Sequence, residues 1–255
     1  MELVYLITLF LLGTLCGSFF TVVGLRLPNK ENFITNHSYC DNCHHRLSLL
    51  DMIPILSFLF LGRKCRYCKA PISSLSTYME FFTGILFALA YYRFGFSVEL
   101  LIALGIVSML IIIAVSDITY LIIPDELLIF YGVLFSILQF IRLGFYKGML
   151  MICSGLFLFL VMYFIMIIGN KIFKKESLGG GDIKMMFVFG ILLEPLLGAF
   201  SIFLGSVLAL PISIFLLKKK KGNIVPFGPF LLIALTFIFF TGINTDTIIN
   251  FLRIV

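Results

Sequence analysis

Residues 98–117 read VELLIALGIVSMLIIIAVSD. After Glu99 no side chain carries a charge until Asp117. About 20 apolar residues in a helix cross a hydrocarbon core roughly 30 Å thick, and in lipid a lone segment satisfies its own backbone groups only as a helix. The stretch is therefore read as a membrane-crossing helix that stops on a carboxylate. The rest of the chain agrees. Of its 255 residues, 61% are hydrophobic and 13% charged, against about 45–50% and 25% in soluble domains. No water-soluble fold of this length could bury so much apolar surface. A disordered, collagen-like or nucleic-acid-binding chain is excluded on the same figures.

The same ruler gives eight apolar windows: residues 3–23, 77–92, 98–116, 127–141, 148–169, 183–193, 196–217 and 227–241. Windows 127–141 and 183–193 are short, which leaves seven spans as the other reading. The first window lacks a basic leader region and a small-x-small cleavage site, so it is read as a span rather than a signal peptide. Leu15, where a small residue would be needed, argues against lipidation of Cys16. With the N-terminus outside, the inner loops hold Arg26, Lys30, Arg46, Arg63, Lys64, Arg66, Lys69, Lys171, Lys174, Lys175, Lys184 and the four lysines 218–221. That is fifteen of the 19 basic residues; Arg93, Arg142, Lys147 and Arg253 stay outside. The split follows the positive-inside rule and puts both termini of an eight-span chain outside. The net charge of +6 is then an orientation device and implies no nucleic-acid partner. The lysines 218–221 are read as a stop signal ahead of an anionic-lipid patch. No internal repeat or low-complexity run is visible.

The one long polar segment, residues 26–76, holds four of the six cysteines as Cys40-Asp-Asn-Cys43 and Cys65-Arg-Tyr-Cys68, twenty-one residues apart. Paired C-x-x-C turns supply the four thiolates of a closed tetrahedral Zn²⁺ site. The competing readings are two disulfides or free thiols. The charge count puts the loop in the reducing cytoplasm, which disfavours disulfides. His44 and His45 could substitute as ligands, but beside four cysteines they are read as surface residues. Cys16 and Cys153, in apolar windows, are read as small core residues. A zinc here would order a loop with too little core to fold, without by itself revealing an activity.

Two acidic residues close or open apolar windows at one depth on the cytoplasmic side. Asp117 follows Ser116, and Asp182 follows Gly179-Gly-Gly181. Carboxylates at span ends are functional candidates. Two that lie together share a proton, so one can activate water while the other hydrogen-bonds a scissile carbonyl. Gly179 and Gly181 are read as giving the backbone unusual φ/ψ and room for an extended substrate. The bland alternative is that each aspartate caps a helix. It suits Asp125 and Glu126, which follow Pro124 at a helix start. It suits Asp117 poorly, because negative charge at a helix C-terminus is unfavourable. Lys184 either steers or tunes the pair or snorkels to the interface.

These residues resemble the bacterial prepilin peptidases (type IV leader peptidases), which are G-x-G-D intramembrane aspartic proteases. The likeness runs in order through Gly17-Ser-Phe19, Arg26-Leu-Pro28, the cysteine loop, Ile53-Pro-Ile-Leu-Ser57, Asp117, Ile123-Pro-Asp125, Gly179-Gly-Gly181-Asp182-Ile-Lys184 and Pro226-Phe-Gly-Pro-Phe230. The resemblance implies Asp117 and Asp182 as the catalytic pair. It further implies cleavage of the basic leader of type IV prepilins or of secretion and competence pseudopilins, next to a Gly and before a Phe. It also implies N-methylation of the new terminus with S-adenosylmethionine, associated with the N-terminal part and its loop. Glu80 is kept, as a candidate for cofactor binding or for pairing with a loop arginine. The family's Arg-Tyr-Pro before it is replaced by Ser74-Leu-Ser-Thr-Tyr-Met, and its Asn before Ile-Pro by Met52.

The sequence is thus read as an all-α polytopic membrane protein of about eight transmembrane helices with a small zinc-binding cytoplasmic loop. Residues 1–95 form a methyltransferase-type region, 96–217 the peptidase core and 218–255 a last span and tail. The expected place is the bacterial cytoplasmic (inner) membrane. The rival is a transporter using Asp117 and Asp182 as proton or cation sites, which predicts repeated halves or broken helices; neither is visible, and the cysteine loop would be unexplained.

Overall fold

The computed structural model describes residues 1–33, 37–40, 42–174, 178–218 and 225–254. Among them the fold is helical, and the only strand-type pairings are two isolated bridges, Tyr39 with Arg46 and Lys64 with Pro71. The helices are α1 (Glu2–Arg26), α2 (Leu56–Phe60), α3 (Leu75–Phe94), α4 (Val98–Tyr120), α5 (Asp125–Leu143), α6 (Phe145–Phe173), α7 (Gly180–Leu192), α8 (Pro195–Lys218), α9 (Gly228–Thr241) and α10 (Thr245–Ile254). They divide into two units, Met1–Phe96 and Ser97–Val255.

Among the described residues five helices are long and apolar enough to cross a membrane: α1, α4, α5, α6 and the Pro195–Phe215 part of α8. The other three expected windows fall on α3, α7 and α9. At 13 and 14 residues, α7 and α9 rise only about 20 Å. α3 has 20 residues but carries Glu80, Arg93 and three tyrosines. Each of the eight expected windows falls on a helix, and α7, whose window is one of the two read as short, stops early where neighbours satisfy its end. Lys175 and Lys219 to Lys221, used in the charge count, lie outside the described residues.

In the first unit α1 and α3 pack antiparallel, and glycine is what lets them meet. A Cβ on Gly13 would stand 2.8 Å from the Gly84 Cα, and one on Gly17 would stand 2.9 Å from the Glu80 Cα. Without a hydrophobic drive between helices in lipid, such small-residue seams supply the contact. In the second unit α4 forms the centre, buried from Ile102 to Asp117 apart from a half-buried Leu104. α5 and α9 pack on it, and α7 lies against α5 and α6. Gly155 and Gly190 bring α6 and α7 together: a Cβ on Gly190 would stand 2.5 Å from the Gly155 Cα. The C-terminus of α7 is buried. Its loose carbonyls are met by Gln139 Nε2, 2.7 Å from Ile191 O, and by the Ser154 hydroxyl, 3.4 Å from Leu193 O. These bonds replace the turn that the short helix lacks. Cys153 is exposed and Cys16 half-buried, so neither is the core residue expected; both lie on helix faces that lipid can cover.

Candidate functional site

In the second unit three helix ends converge. α4 carries Asp117 in its last turn, 94% buried. Beyond it Leu121 takes a left-handed conformation, φ 57°, and the Ser116 hydroxyl donates to the Ile122 carbonyl. This closed turn sends Ile123 back toward the bundle. There Ile123 fits between the starts of α7 and α9: a Cβ on Gly181 would stand 2.8 Å from the Ile123 Cβ, and one on Gly228 would stand 3.2 Å from its Cδ1. Gly228, in Pro226-Phe-Gly-Pro-Phe230, donates its N–H to Asp117 Oδ2 at 3.0 Å. The carboxylate that stood uncomfortably at the C-terminal end of α4 thus faces the positive end of α9. No charge or metal-ligand pattern points to Gly228; only the Pro-Phe-Gly-Pro stretch could have.

Asp182 lies in the first turn of α7, within electrostatic reach of Asp117. Its Oδ1 is buried without a hydrogen-bond partner among the described residues. Buried oxygens left without a partner are uncommon; the amide oxygen of Gln139 is another, but only that of Asp182 lies beside a second carboxyl. The glycines before it do not supply unusual backbone angles. Gly179 has φ −66°, ψ 135°, and positive φ occurs elsewhere. What they supply is room. A Cβ on Gly179 would stand 3.0 Å from Asp182 Oδ2, Gly181 abuts Ile123, and around Gly180 there is open space.

Lys184 does not reach the pair. Its Nζ lies 2.8 and 2.7 Å from the two carboxylate oxygens of Asp125, tying α7 to α5 at an exposed site. Asp125 begins α5 as expected and gains this ion pair. Glu80 is buried and, among the described residues, pairs with backbone and hydroxyl groups instead of a loop arginine: Oε2 accepts from the Ile55 N–H at 2.8 Å and Oε1 from the Ser76 hydroxyl at 3.2 Å. It fastens the loop to α3.

In the first unit, the Sγ atoms of Cys40, Cys43, Cys65 and Cys68 lie within 4.8 Å of one another and could hold a metal ion. Cys40 and Cys68 are 3.8 Å apart, matching the edge of about 3.8 Å that a tetrahedron with 2.3 Å Zn–S bonds requires. The two turns are built alike. His44 N bonds Cys40 O as Lys69 N bonds Cys65 O; Cys40 N bonds His45 O as Cys65 N bonds Ala70 O; Leu47 N bonds Ser38 O as Ile72 N bonds Arg63 O. His44 and Lys69 both have positive φ. This short duplication escaped the sequence because only the cysteines match. Among themselves the thiols ionise unevenly. The Ala70 N–H and the Asn42 side chain pull Cys68 down to about 6. The His45 amide favours the Cys43 thiolate, yet desolvation and the neighbouring thiols push it up to about 11. A divalent cation resolves that conflict by stabilising all four thiolates. Around the set, Arg66 pairs with Asp51 at 2.8 Å. Burial opposes ionisation of Asp51, but bonds from Ser48 and the charge of Arg66 hold its carboxyl below the usual range. His45 is exposed and its ring lies tilted against Tyr67, centroids 3.7 Å apart and planes 37° apart.

Comparison with known proteins places both units. Residues 11–94 match the bacterial peptidase A24 N-terminal domain, and residues 104–214 match the type IV leader peptidase family. The prepilin leader peptidase/N-methyltransferase of Bacillus subtilis (strain 168) is 34% identical over 249 residues, covering 95% of this chain and 96% of that protein. The protein of that name from Klebsiella pneumoniae is 34% identical over 71% of this chain and 82% of its own length. The one from Pseudomonas aeruginosa is 29% identical over 91% and 89%. No solved structure matches significantly. Matched almost end to end by a relative, and carrying both domains in order in a multi-pass helical membrane protein, the chain belongs to the type IV leader peptidase family.

Proposed function

We propose that this chain is a membrane endopeptidase that removes the leader of type IV prepilins or pseudopilins at a Gly-Phe type junction, and then N-methylates the new terminus. Asp117 and Asp182 are the catalytic pair. The observation that carries this reading is the buried, unpartnered Oδ1 of Asp182 within electrostatic reach of a second buried carboxyl. Like charges so placed share one proton. The ionised carboxylate takes a proton from water as the water oxygen bonds to the scissile carbonyl carbon. The protonated one hydrogen-bonds the carbonyl oxygen. Collapse of the tetrahedral intermediate breaks the C–N bond, and the proton passes to the leaving amine. Gly228 orients Asp117, and the open space at Gly180 suits an extended backbone. Gly179 and Gly181 support the site by room, and Lys184 through its tie to α5.

Two named activities and two domains on separate units support assigning methyl transfer, with S-adenosylmethionine as donor, to the first unit. Zn²⁺ held by Cys40, Cys43, Cys65 and Cys68 would supply cross-linking charge that orders the loop. The lysine and arginine distribution supports placement in the bacterial inner membrane with both termini outside and the carboxylates at the cytoplasmic face. α7 is short but unbroken, and the four-thiol loop and the family domains favour the peptidase over a transporter.

The test uses purified protein in lipid with a prepilin-type substrate bearing a Gly-Phe junction. Asp117→Asn and Asp182→Asn should each lose on the order of 10²–10⁴-fold or more in cleavage rate. Cleavage at the parent rate by either variant would end the dyad assignment.

A further inference from the structure

The cysteine loop contains a turn of helix that does not suit a water-facing segment. α2 buries Phe58, but Leu56, Leu59 and Phe60 are 50, 65 and 85% exposed, and Leu50, Met52 and Ile53 just before it are exposed as well. A contiguous apolar patch outside the spans marks contact with a protein or a membrane. Two observations favour the membrane.

The first is depth. Ile55, which precedes α2, bonds to Glu80, and the Glu80 Cα abuts Gly17 of α1. Gly17 stands nine residues before Arg26, the last residue of α1, about 13 Å along the axis at 1.5 Å per residue. A glutamate side chain plus one hydrogen bond is shorter than that rise. Since α1 crosses the membrane, α2 begins below the level where α1 ends, not above it in water. The second is charge. Gly62 turns the chain after α2 at φ 58°, and exposed Arg63 and Lys64 follow. The Arg63 guanidinium folds to 5.7 Å from the Phe58 ring. An apolar face edged by cations is the pattern of an interfacial helix, buried about 5–10 Å at the headgroup–acyl boundary.

We propose that residues 54–60 ride in the membrane interface, with Leu56, Leu59 and Phe60 among acyl chains and Arg63 and Lys64 against anionic headgroups. The four-thiol loop is thereby pinned to the bilayer at a point beyond the helices that flank it. This does not depend on the catalytic assignment.

The chain contains no tryptophan, so Phe60→Trp and Leu59→Trp each add a sole indole reporter, and Phe130→Trp, exposed on membrane-crossing α5, serves as reference. Full-length protein is reconstituted in phosphatidylcholine–phosphatidylglycerol vesicles with brominated acyl chains. Both loop reporters should be quenched as strongly as the reference and emit at short wavelength. Replacing phosphatidylglycerol with phosphatidylcholine, or Lys64→Gln, should reduce quenching, the insertion constant falling about fivefold per cationic contact removed. Quenching by aqueous iodide and not by bromine would overturn the proposal by placing α2 in water. Protection from both would overturn it in favour of a protein cover, such as a second copy. Quenching indifferent to phosphatidylglycerol and to Lys64→Gln would overturn the headgroup contacts.

Discussion

At the scale of single residues, Ile123 has no chemistry of its own, yet the proposed site is built around it. Gly181 and Gly228 are both close to it, and one of them holds Asp117. Gly181→Ala must displace Ile123. It should cost about 1–3 kcal/mol of stability by overpacking and lower cleavage, with Ile123→Val restoring part of both in the double variant. Gly180→Ala meets open space in a helix. It should leave thermal stability unchanged or raise it by up to about 1 kcal/mol, and a fall in cleavage without a fall in stability would mark Gly180 as facing substrate. The aspartates were legible in sequence because charge is scarce in so apolar a chain. The purpose of their glycines was not: a Gly run signals freedom or closeness alike, and only the position of Ile123 decides. Lys184 and Glu80 were likewise legible as charges needing partners, but Asp125 and the Ile55 amide are distant in sequence.

At the scale of elements, the chain spends its glycines on seams. Gly17→Val would drive a branched side chain into Thr83 and Glu80. It should destabilise the α1–α3 pair by about 1–3 kcal/mol, read by unfolding of the full protein in mild detergent, while Gly95→Ala tests the cost of positive φ without a clash. The G-x-x-x-G spacing of Gly13 and Gly17 was present to be read, but a reading organised by charge and apolar length passes over it. The four cysteines were legible from their C-x-x-C spacing, but the matched backbone bonds of the two turns were not, since only the cysteines repeat. Metal analysis should find one zinc per chain, and Cys65→Ser should lower that content and leave residues 37–72 more open to limited proteolysis.

At the scale of the whole molecule, the division at Phe96 and Ser97 suggests separable functions. Asp117→Asn should still methylate a peptide that already begins with a free Phe, whereas Cys65→Ser should lose methyl transfer and keep leader cleavage. Joint loss of both activities in each variant would argue against the division of labour. All-helical membrane character was legible from composition. Helix length was legible in part: the windows 183–193 and 227–241 end within one residue of α7 and α9, whereas 127–141 misses the charged ends of α5. Apolarity cannot show that Gln139 and Ser154 satisfy the early end of α7.

That early ending makes α7 a strut braced at its far end. From Ile191, which Gln139 holds, to Asp182 is nine residues, about 13 Å of rigid helix. A rod so short has nowhere to absorb slack, so a one-residue slip at the brace displaces the carboxylate by about 1.5 Å. Misplacements near 1 Å can cost about 10²-fold in rate. A side-chain amide one helix-length away from the chemistry would then set the alignment of the aspartate, and loosening it would detune the enzyme without touching either carboxylate.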